Sequence, residues 1–390
     1  MAEIYRASTT APVNIAVIKY WGKRDAKLNL PTNSSLSVTL SQDDLRTHTT
    51  ASCSAIYTTD SLLLNGKDQD ISGARTQACL RELRSLRTRL ENANPGLPKL
   101  ADLKLKIVSE NNFPTAAGLA SSAAGFAALV RAIANLYELD SSPTELSRIA
   151  RQGSGSACRS LFGGYVAWEM GSQADGSDSL AVQVAPVSHW PEMRAIILVA
   201  SDKQKDVGST AGMQQTVATS TFMKQRVLDV PTRMEEMNKA IQEKDFQAFA
   251  RLTMKDSNSF HATCLDTEPP IKYMNETSWA AIRIVEAINA AAGKLVAAYT
   301  FDAGPNAVIY HLEEDAPKVT GVLKSVIGDK EGWQGARGSE IQAQDAGLLP
   351  PVAVQTLKDG VSRVILTGVG GDPVKIDDHL IDASGNAIVR

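Results

Sequence analysis

A run of small residues that leads into a helix constrains the fold of this sequence more than any other stretch. Residues 111–125 read Asn-Asn-Phe-Pro-Thr-Ala-Ala-Gly-Leu-Ala-Ser-Ser-Ala-Ala-Gly, and Gly118 permits a tight turn. Apolar residues then recur at helical spacing, at Phe126, Val130, Ile133 and Tyr137. The pattern predicts a loop that ends at a helix N-terminus, where free N–H groups and the helix dipole favour a phosphate. Close packing of small residues explains the loop equally well, and the lysine of a P-loop is absent after the last glycine.

Charge and composition argue against several classes of partner. The 390 residues carry 40 basic and 43 acidic side chains, a net charge of −3, which argues against bulk binding to nucleic acid or to an anionic membrane. The first ten residues are polar, and no apolar run is long enough to span a bilayer. We therefore expect a cytoplasmic protein with no nucleic-acid or membrane partner.

The cysteines and histidines form no recognisable metal or disulfide pattern. Cys53, Cys79, Cys158 and Cys264 lie far apart without a C-x-x-C pair, which predicts reduced thiols. The five histidines make no H-E-x-x-H pattern, so no dedicated transition-metal site is predicted.

Four further segments carry residues suited to a ligand site, three of them to an anion. The end of a predicted strand, residues 19–24, places three cations beside two aromatic rings. Residues 153–160 are small except for Arg159, whose planar fork matches a carboxylate or phosphate, although an exposed arginine in a linker is the alternative. Asp302 lies in the turn of a hairpin predicted over 294–312, where ordinary turn chemistry also accounts for it. A second helix start at Ser209-Thr210 could meet an anion.

Periodicity also predicts elements away from these segments. Residues 142–145 form a capping box that opens a helix. The remaining predicted elements are a helix over 74–91 with most arginines on its solvated face, one from Ser209 through Phe222, one over 231–254, one over 275–292 with Trp279 in its apolar stripe, and a hairpin after residue 372.

Together these parts suit phosphoryl transfer. Such a site needs backbone donors and hydroxyls for phosphates and Mg²⁺, cations to balance charge, and one carboxylate that faces the acceptor hydroxyl. The residues alone predict a protein that binds a small phosphorylated ligand, and an enzyme is the simplest interpretation.

Three runs make the sequence resemble a known family. They are residues 11–24, 111–125 and 153–164, with residues 212–213 and 301–307 in addition. Over essentially the whole chain the sequence is similar to the mevalonate diphosphate decarboxylases of the GHMP kinase superfamily, eukaryotic type. The runs at 20–23 and 154–159 separate these decarboxylases from the plain kinases of the superfamily.

The resemblance implies an α+β protein with the two-domain GHMP kinase fold and an active site in the inter-domain cleft. The domains would be residues 1–190, which bind ATP, and residues 191–390. It implies the ATP-dependent decarboxylation of mevalonate 5-diphosphate to isopentenyl diphosphate, with ADP, phosphate and carbon dioxide, in isoprenoid and sterol biosynthesis. The cofactors would be ATP and Mg²⁺, and the assembly a homodimer.

The resemblance also assigns roles to residues. Asp302 would face the 3-hydroxyl as base or orienting group, Arg159 would bind the substrate carboxylate, and Lys19 would steady charge near Asp302. Asn14 would fix Arg159, and Ser122 would lie at the phosphates and the metal. The substrate contacts would be Tyr20, Trp21, Gly22, Lys23, Arg75, Ser154, Gly155, Ser156, Ala157, Cys158, Arg159 and Thr210, and the nucleotide contacts Asn111, Ala117, Gly118, Leu119, Ala120, Ser121 and Ser122.

One departure and two alternatives accompany this assignment. Thr210 stands where bacterial members carry an arginine. The first alternative is a GHMP kinase that stops at phosphorylation, and the second is a catalytically inactive sensor with the same fold. The presence of Lys19, Ser122 and Asp302 argues against the sensor.

Overall fold

The computed structural model describes residues 3–113, 121–200, 206–345, 347 and 349–388. The strands are β1 Tyr5–Pro12, β2 Asn14–Ile18, β3 Lys23–Asp25, β4 Leu30–Pro31, β5 Ser35–Thr39, β6 Arg46–Ser54, β7 Ser61–Leu64, β8 Lys67–Gln69, β9 Lys104–Asn111, β10 Tyr165–Trp168, β11 Ala181–Ala185, β12 Met193–Val199, β13 Ala298–Phe301, β14 Ala307–Leu312, β15 Arg363–Gly368 and β16 Val374–Ile376. The α-helices are α1 Ala74–Ala93, α2 Ser121–Leu136, α3 Pro143–Gly153, α4 Ser209–Thr219, α5 Thr221–Glu243, α6 Phe246–Leu265, α7 Glu276–Ala292, α8 Val322–Ile327, α9 Ala336–Ser339 and α10 Pro351–Gly360. A 3₁₀-helix spans Gly155–Leu161, and a π-helical turn spans Pro317–Gly321.

Three larger sheets organise these elements. A six-stranded sheet has the order β16-β1-β6-β9-β7-β8, and one core packs its strands against α1, α2 and α3. A four-stranded sheet has the order β11-β10-β5-β2, and another has the order β13-β14-β12-β15. Side chains of β2 share a core with β12, β14 and α6. The end of β2 therefore lies where the N-terminal and C-terminal halves of the chain meet.

Local signals in the sequence placed several elements correctly. Ser142 and Glu145 form the predicted capping box at the start of α3. Strands β13 and β14 pair as an antiparallel hairpin in which Phe301 lies opposite Ala307. Because the strands pair as far as Phe301 and Ala307, the short turn between them fixes the position of Asp302.

The helices predicted from Ser209 to Met254 have different bounds. The first ends at Thr219, because the Ser220 side chain accepts a hydrogen bond from the backbone N–H of Met223 and so begins α5. The predicted helix over 231–254 is wrong, because it joins the end of α5 to α6. Lys244 adopts the left-handed conformation with φ 54°, and the Asp245 side chain caps α6. Periodicity continues across such a break, since both helices bury an apolar face.

Three other expectations need correction. Arg87 of α1 is fully buried and not on a solvated face, because Glu91 and two backbone carbonyls accept its hydrogen bonds. Trp279 is 45% exposed, so it does not belong to the buried stripe of α7. In the tail, β16 pairs with β1, so the predicted hairpin is present but confined to residues 380–388, where an antiparallel bridge joins Ile381 to Ala387 and the N–H groups of Asp382 and Ile388 donate to the carbonyls of Asn386 and Leu380.

Two findings concern the chain as a whole. The described helices include none that combines the length and the apolar character needed to cross a membrane. The four cysteines are all free and buried, as expected.

The predicted domain boundary after residue 190 follows the 3₁₀ turn Val187–His189, and it stays a prediction.

Candidate active site

A cavity of about 880 Å³ lies where the end of β2, the starts of α2 and α4, the 3₁₀-helix and the β13–β14 turn come together. It collects most of the residues that the sequence singled out. These are Asn14, Lys19, Tyr20, Trp21, Lys23, Arg75, Ser121, Ser122, Ser154, Gly155, Ser156, Arg159, Thr210 and Asp302.

Some predicted contacts do not line this cavity. Ala157 and Cys158 are buried behind it, and the Cys158 thiol donates to the carbonyl of Gly155 at 3.0 Å. Burial raises the pKa of this thiol to about 12, which leaves it unsuited as a nucleophile. Gly22 has φ +86°, and its carbonyl accepts from the backbone N–H of Thr32.

The predicted nucleotide contacts divide in a similar way. Asn111 lines an adjoining cavity of about 310 Å³, which shares Ser121 and Ser122 with the larger one. Ala117, Gly118, Leu119 and Ala120 lie outside the described residues.

Lys19 and Asp302 form an ion pair in the cavity. The Lys19 Nζ donates to Oδ1 of Asp302 at 2.6 Å, and the two side chains are 3% and 26% exposed. Burial lowers the pKa of Lys19, while the charges of Asp302 and Asp256 oppose that shift. The carboxylate of Asp302 remains open to the cavity, so it can accept a proton or a hydrogen bond from a hydroxyl placed there.

Arg159 is a buried cation with neutral partners. Its Nε donates to Asn14 Oδ1 at 3.2 Å and to Ser37 Oγ at 3.0 Å, and its Nη1 donates to Ser35 Oγ. Asn14 is itself fixed by the carbonyl of Ser156 at 3.0 Å. Burial lowers the pKa of Arg159, and no carboxylate of the described residues is hydrogen-bonded to it. An anion that enters the cavity would therefore meet an oriented guanidinium whose described hydrogen-bond partners are all neutral.

Two helix starts and a row of hydroxyls provide further anion contacts. Ser122 Oγ lies 3.2 Å from Ser154 Oγ near the start of α2. At the start of α4, the Arg75 Nη2 donates to Thr210 Oγ1 at 2.7 Å. The helix dipole favours negative charge at both of these N-terminal ends.

Metal binding at this site would depend on oxygen donors. The described residues contain no cluster of three or more His, Cys, Asp or Glu side chains that could hold a metal ion. The Ser121 and Ser122 hydroxyls line the cavity beside Asp302. Hydroxyls together with ligand phosphates suit Mg²⁺, which usually keeps few protein ligands. The residues present therefore fit a phosphate-bound magnesium ion.

Sequence reasoning missed several residues that support the site. Ser35 and Ser37 of β5 hold Arg159, and the alternation of serines with Leu36 and Val38 was a signal for one polar face. Asp256 of α6 and Arg226 of α5 bind the backbone of Lys19. Neither carries a local signal, because each lies within an ordinary amphipathic helix.

Comparison with known proteins agrees with this geometry. A family described as "Diphosphomevalonate decarboxylase-like N-terminal domain" matches residues 11–181, and one described as "Mevalonate 5-diphosphate decarboxylase C-terminal domain" matches residues 195–376. A crystal structure of a mevalonate 5-diphosphate decarboxylase superposes with a TM-score of 0.90 at 56% identity and covers 98% of this chain and 100% of its own. Fold and cavity thus define a two-domain protein of the GHMP kinase type, as predicted.

The relatives narrow this class to one family. Diphosphomevalonate decarboxylase mvd1 of Aspergillus fumigatus is 65% identical over 394 residues, which cover 99% of this chain and 98% of the relative. A further structure, described as MDDEF in complex with MVAPP, AMPPCP and magnesium, has a TM-score of 0.75 at 30% identity and covers 96% of this chain and 100% of its own. The chain belongs to the mevalonate 5-diphosphate decarboxylase family.

Proposed function

We propose that this protein is a cytoplasmic enzyme that uses ATP to decarboxylate mevalonate 5-diphosphate, forming isopentenyl diphosphate, ADP, phosphate and carbon dioxide. The observation that carries the proposal is the presence of Asp302 and Arg159 in one cavity. A kinase of this fold also needs a carboxylate such as that of Asp302 to face its acceptor hydroxyl. A buried arginine that no carboxylate of the described residues hydrogen-bonds suits a substrate that brings its own carboxylate.

The chemistry proceeds in two parts. The 3-hydroxyl oxygen attacks the γ-phosphorus of ATP, ADP leaves, and the hydroxyl proton passes towards Asp302. The C3–O bond then breaks and its electron pair leaves with phosphate. The electrons of the bond between C2 and the carboxylate form the C2=C3 double bond, and carbon dioxide departs. Phosphorylation is needed because hydroxide is a poor leaving group and phosphate is a good one.

The residues around the reacting atoms have separate tasks in this proposal. Asp302 orients the hydroxyl or accepts its proton, and Lys19 holds that carboxylate at 2.6 Å. Arg159, oriented by Asn14, binds the substrate carboxylate. Ser122 contacts the transferring phosphate, and Mg²⁺ bound there would neutralise charge on the phosphates. The magnesium and AMPPCP of the related complex support this assignment.

The diphosphate of the substrate would lie towards Lys23 and the start of α4. Arg75 reaches across from α1 to the hydroxyl of Thr210. A guanidinium is thus present beside Thr210 although the residue itself is not an arginine. Tyr20, Trp21, Ser154, Gly155 and Ser156 complete the substrate wall.

The adjoining cavity offers a place for the nucleotide base. It shares Ser121 and Ser122 with the main cavity, and Leu62 and Leu64 add apolar surface. With its base in this cavity, a nucleotide would place its phosphates at the start of α2. By family resemblance, we also propose that residues 117–120 contact the nucleotide, that the protein forms a homodimer, and that its domains span residues 1–190 and 191–390.

Counting products tests the proposal. Purified protein with mevalonate 5-diphosphate and ATP should release carbon dioxide and ADP in a one-to-one ratio. ADP without carbon dioxide would identify a kinase, and the absence of both would identify a sensor. Asp302→Asn should cut kcat about a hundredfold or more and leave nucleotide binding near normal, because it removes a positioned acid–base group. Wild-type turnover in this variant would refute the role of Asp302.

A further inference from the structure

The backbone of Lys19 is held by side chains from distant helices. Lys19 follows β2 directly, so the strand ladder no longer supplies partners for its peptide groups. Its N–H donates to Oδ2 of Asp256 at 2.7 Å. Its carbonyl accepts from Nη2 of Arg226 at 3.0 Å and from Nδ2 of Asn33 at 3.0 Å. Both sides of the residue are therefore fixed.

The groups that hold Lys19 form a buried ionic network. Asp256 and Arg226 are 0% and 1% exposed, and two hydrogen bonds of 3.0 and 2.9 Å join them. Arg233 donates to Oδ1 of Asp256 at 2.9 Å without contacting Lys19. Burial opposes ionisation of Asp256, but the two arginines still lower its pKa. Buried ion pairs contribute little net stability, so the fold alone does not account for this arrangement.

We propose that Arg226 and Asp256 are positioning residues that set the place of the Lys19 ammonium against Asp302. The inference rests on the proposed function, since it concerns the group that faces the acceptor hydroxyl. Both residues hydrogen-bond to the backbone of Lys19, and the Lys19 side chain contacts Asp302 directly. Because the Lys19 side chain is buried and ends at a 2.6 Å contact, a shift of its backbone displaces that contact directly.

Two arginines of the same network provide a matched test. Arg226→Lys keeps the positive charge but loses the fork that joins Asp256 to the Lys19 carbonyl. Arg233→Lys changes the same network equally conservatively, at a position that does not touch Lys19. The first should lower kcat about tenfold or more with little change in KM for ATP, since small misplacements of reacting groups have effects of this size. The second should stay within about threefold of the wild type.

A second variant and a double-mutant cycle separate positioning from general destabilisation. Asn33→Ala removes the other donor to the Lys19 carbonyl and should also lower kcat, by about fivefold. In a Lys19→Ala background, measured with radiolabelled ATP, Arg226→Lys should have almost no further effect, because its target is gone.

The outcomes are distinct. If the wild type releases no carbon dioxide, the proposed function fails. If it turns over but Arg226→Lys and Arg233→Lys lower kcat equally, in step with their loss of thermal stability, the positioning role is refuted. Equal effects of Arg226→Lys with and without Lys19 would refute it as well. Should Arg226→Lys not fold, Asp256→Asn decides, because it removes the charge that joins Arg226 to the Lys19 backbone: an unchanged kcat overturns the inference.

Discussion

Arg159→Met is expected to remove most of the turnover while leaving the fold about as stable as the wild type. Arg159 is 2% exposed, and its hydrogen-bond partners Asn14, Ser35 and Ser37 are all neutral. Its pKa is lowered by burial, so folding disfavours the charged form, and the cost is present at neutral pH where arginine is charged.

The sizes of the two effects follow from these contacts. Because no carboxylate of the described residues is hydrogen-bonded to Arg159, methionine leaves no ion-pair partner behind and removes the desolvation penalty of a buried cation. The oxygen of Asn14 that loses its donor costs about 1–3 kcal/mol, so the free energy of unfolding should stay within about 2 kcal/mol of the wild type. Two charge-assisted hydrogen bonds to the substrate carboxylate, at about 1.5–3 kcal/mol each, correspond to a fall in kcat/KM for that substrate of about 10²- to 10⁴-fold.

Arg159→Lys provides the matched comparison. It keeps the charge, but one ammonium cannot serve the serines of β5 and a carboxylate in the fixed geometry of the fork. We expect its kcat to lie between those of the wild type and Arg159→Met. The assay is steady-state release of carbon dioxide with titrated ATP, together with fluorescent-nucleotide binding and thermal unfolding.

Three results would contradict this account of Arg159. Unchanged carbon dioxide release in both variants would make it a linker residue. A loss confined to weaker nucleotide binding would place it on ATP. A large drop in the thermal stability of Arg159→Met would show that its charge serves the fold.

Three further results are expected. Chelation with EDTA should abolish turnover, because the described residues of the site offer hard oxygen ligands, and full activity after exhaustive chelation would contradict this. Burial lowers the pKa of Lys23 to about 8, so its ammonium is charged below that pH and neutral above it. The KM for the diphosphate substrate should therefore rise as the pH increases through about 8; Lys23→Gln should abolish this rise and Lys27→Gln, at an exposed site, should preserve it. Arg87→Met should lower Tm by about 6–20 °C, because it leaves the buried Glu91 unpaired at a cost of about 3–5 kcal/mol. Exposed Arg89→Met should change Tm little, and equal shifts in the two variants would refute the buried pair.

Much of the site could be predicted because its parts carry local signals. The hairpin around Asp302 follows from two apolar strands and a Gly-Pro turn. The start of α2 follows from small residues before a helical stripe. The resemblance added which of these parts face one another, and the cavity brings together fourteen of the predicted residues.

The rest lacked a local signal for physical reasons. Asp256 lies 237 residues from Lys19 along the chain, and no periodicity records such a contact. The break between α5 and α6 depends on one left-handed residue and one capping side chain, which apolar spacing does not show. Arg87 resembles its exposed neighbours in α1 until the loop between α1 and β9 folds over it and the carbonyl of Pro98 accepts its hydrogen bond.

The most direct test of the proposed mechanism is a crystal structure of this protein with mevalonate 5-diphosphate and a non-hydrolysable ATP analogue. The account predicts that the 3-hydroxyl lies within hydrogen-bond distance of Asp302 and in line with the γ-phosphate. It predicts the substrate carboxylate on Arg159 and the analogue's phosphates at the start of α2. A carboxylate held elsewhere, with the 3-hydroxyl directed away from Asp302, would contradict it.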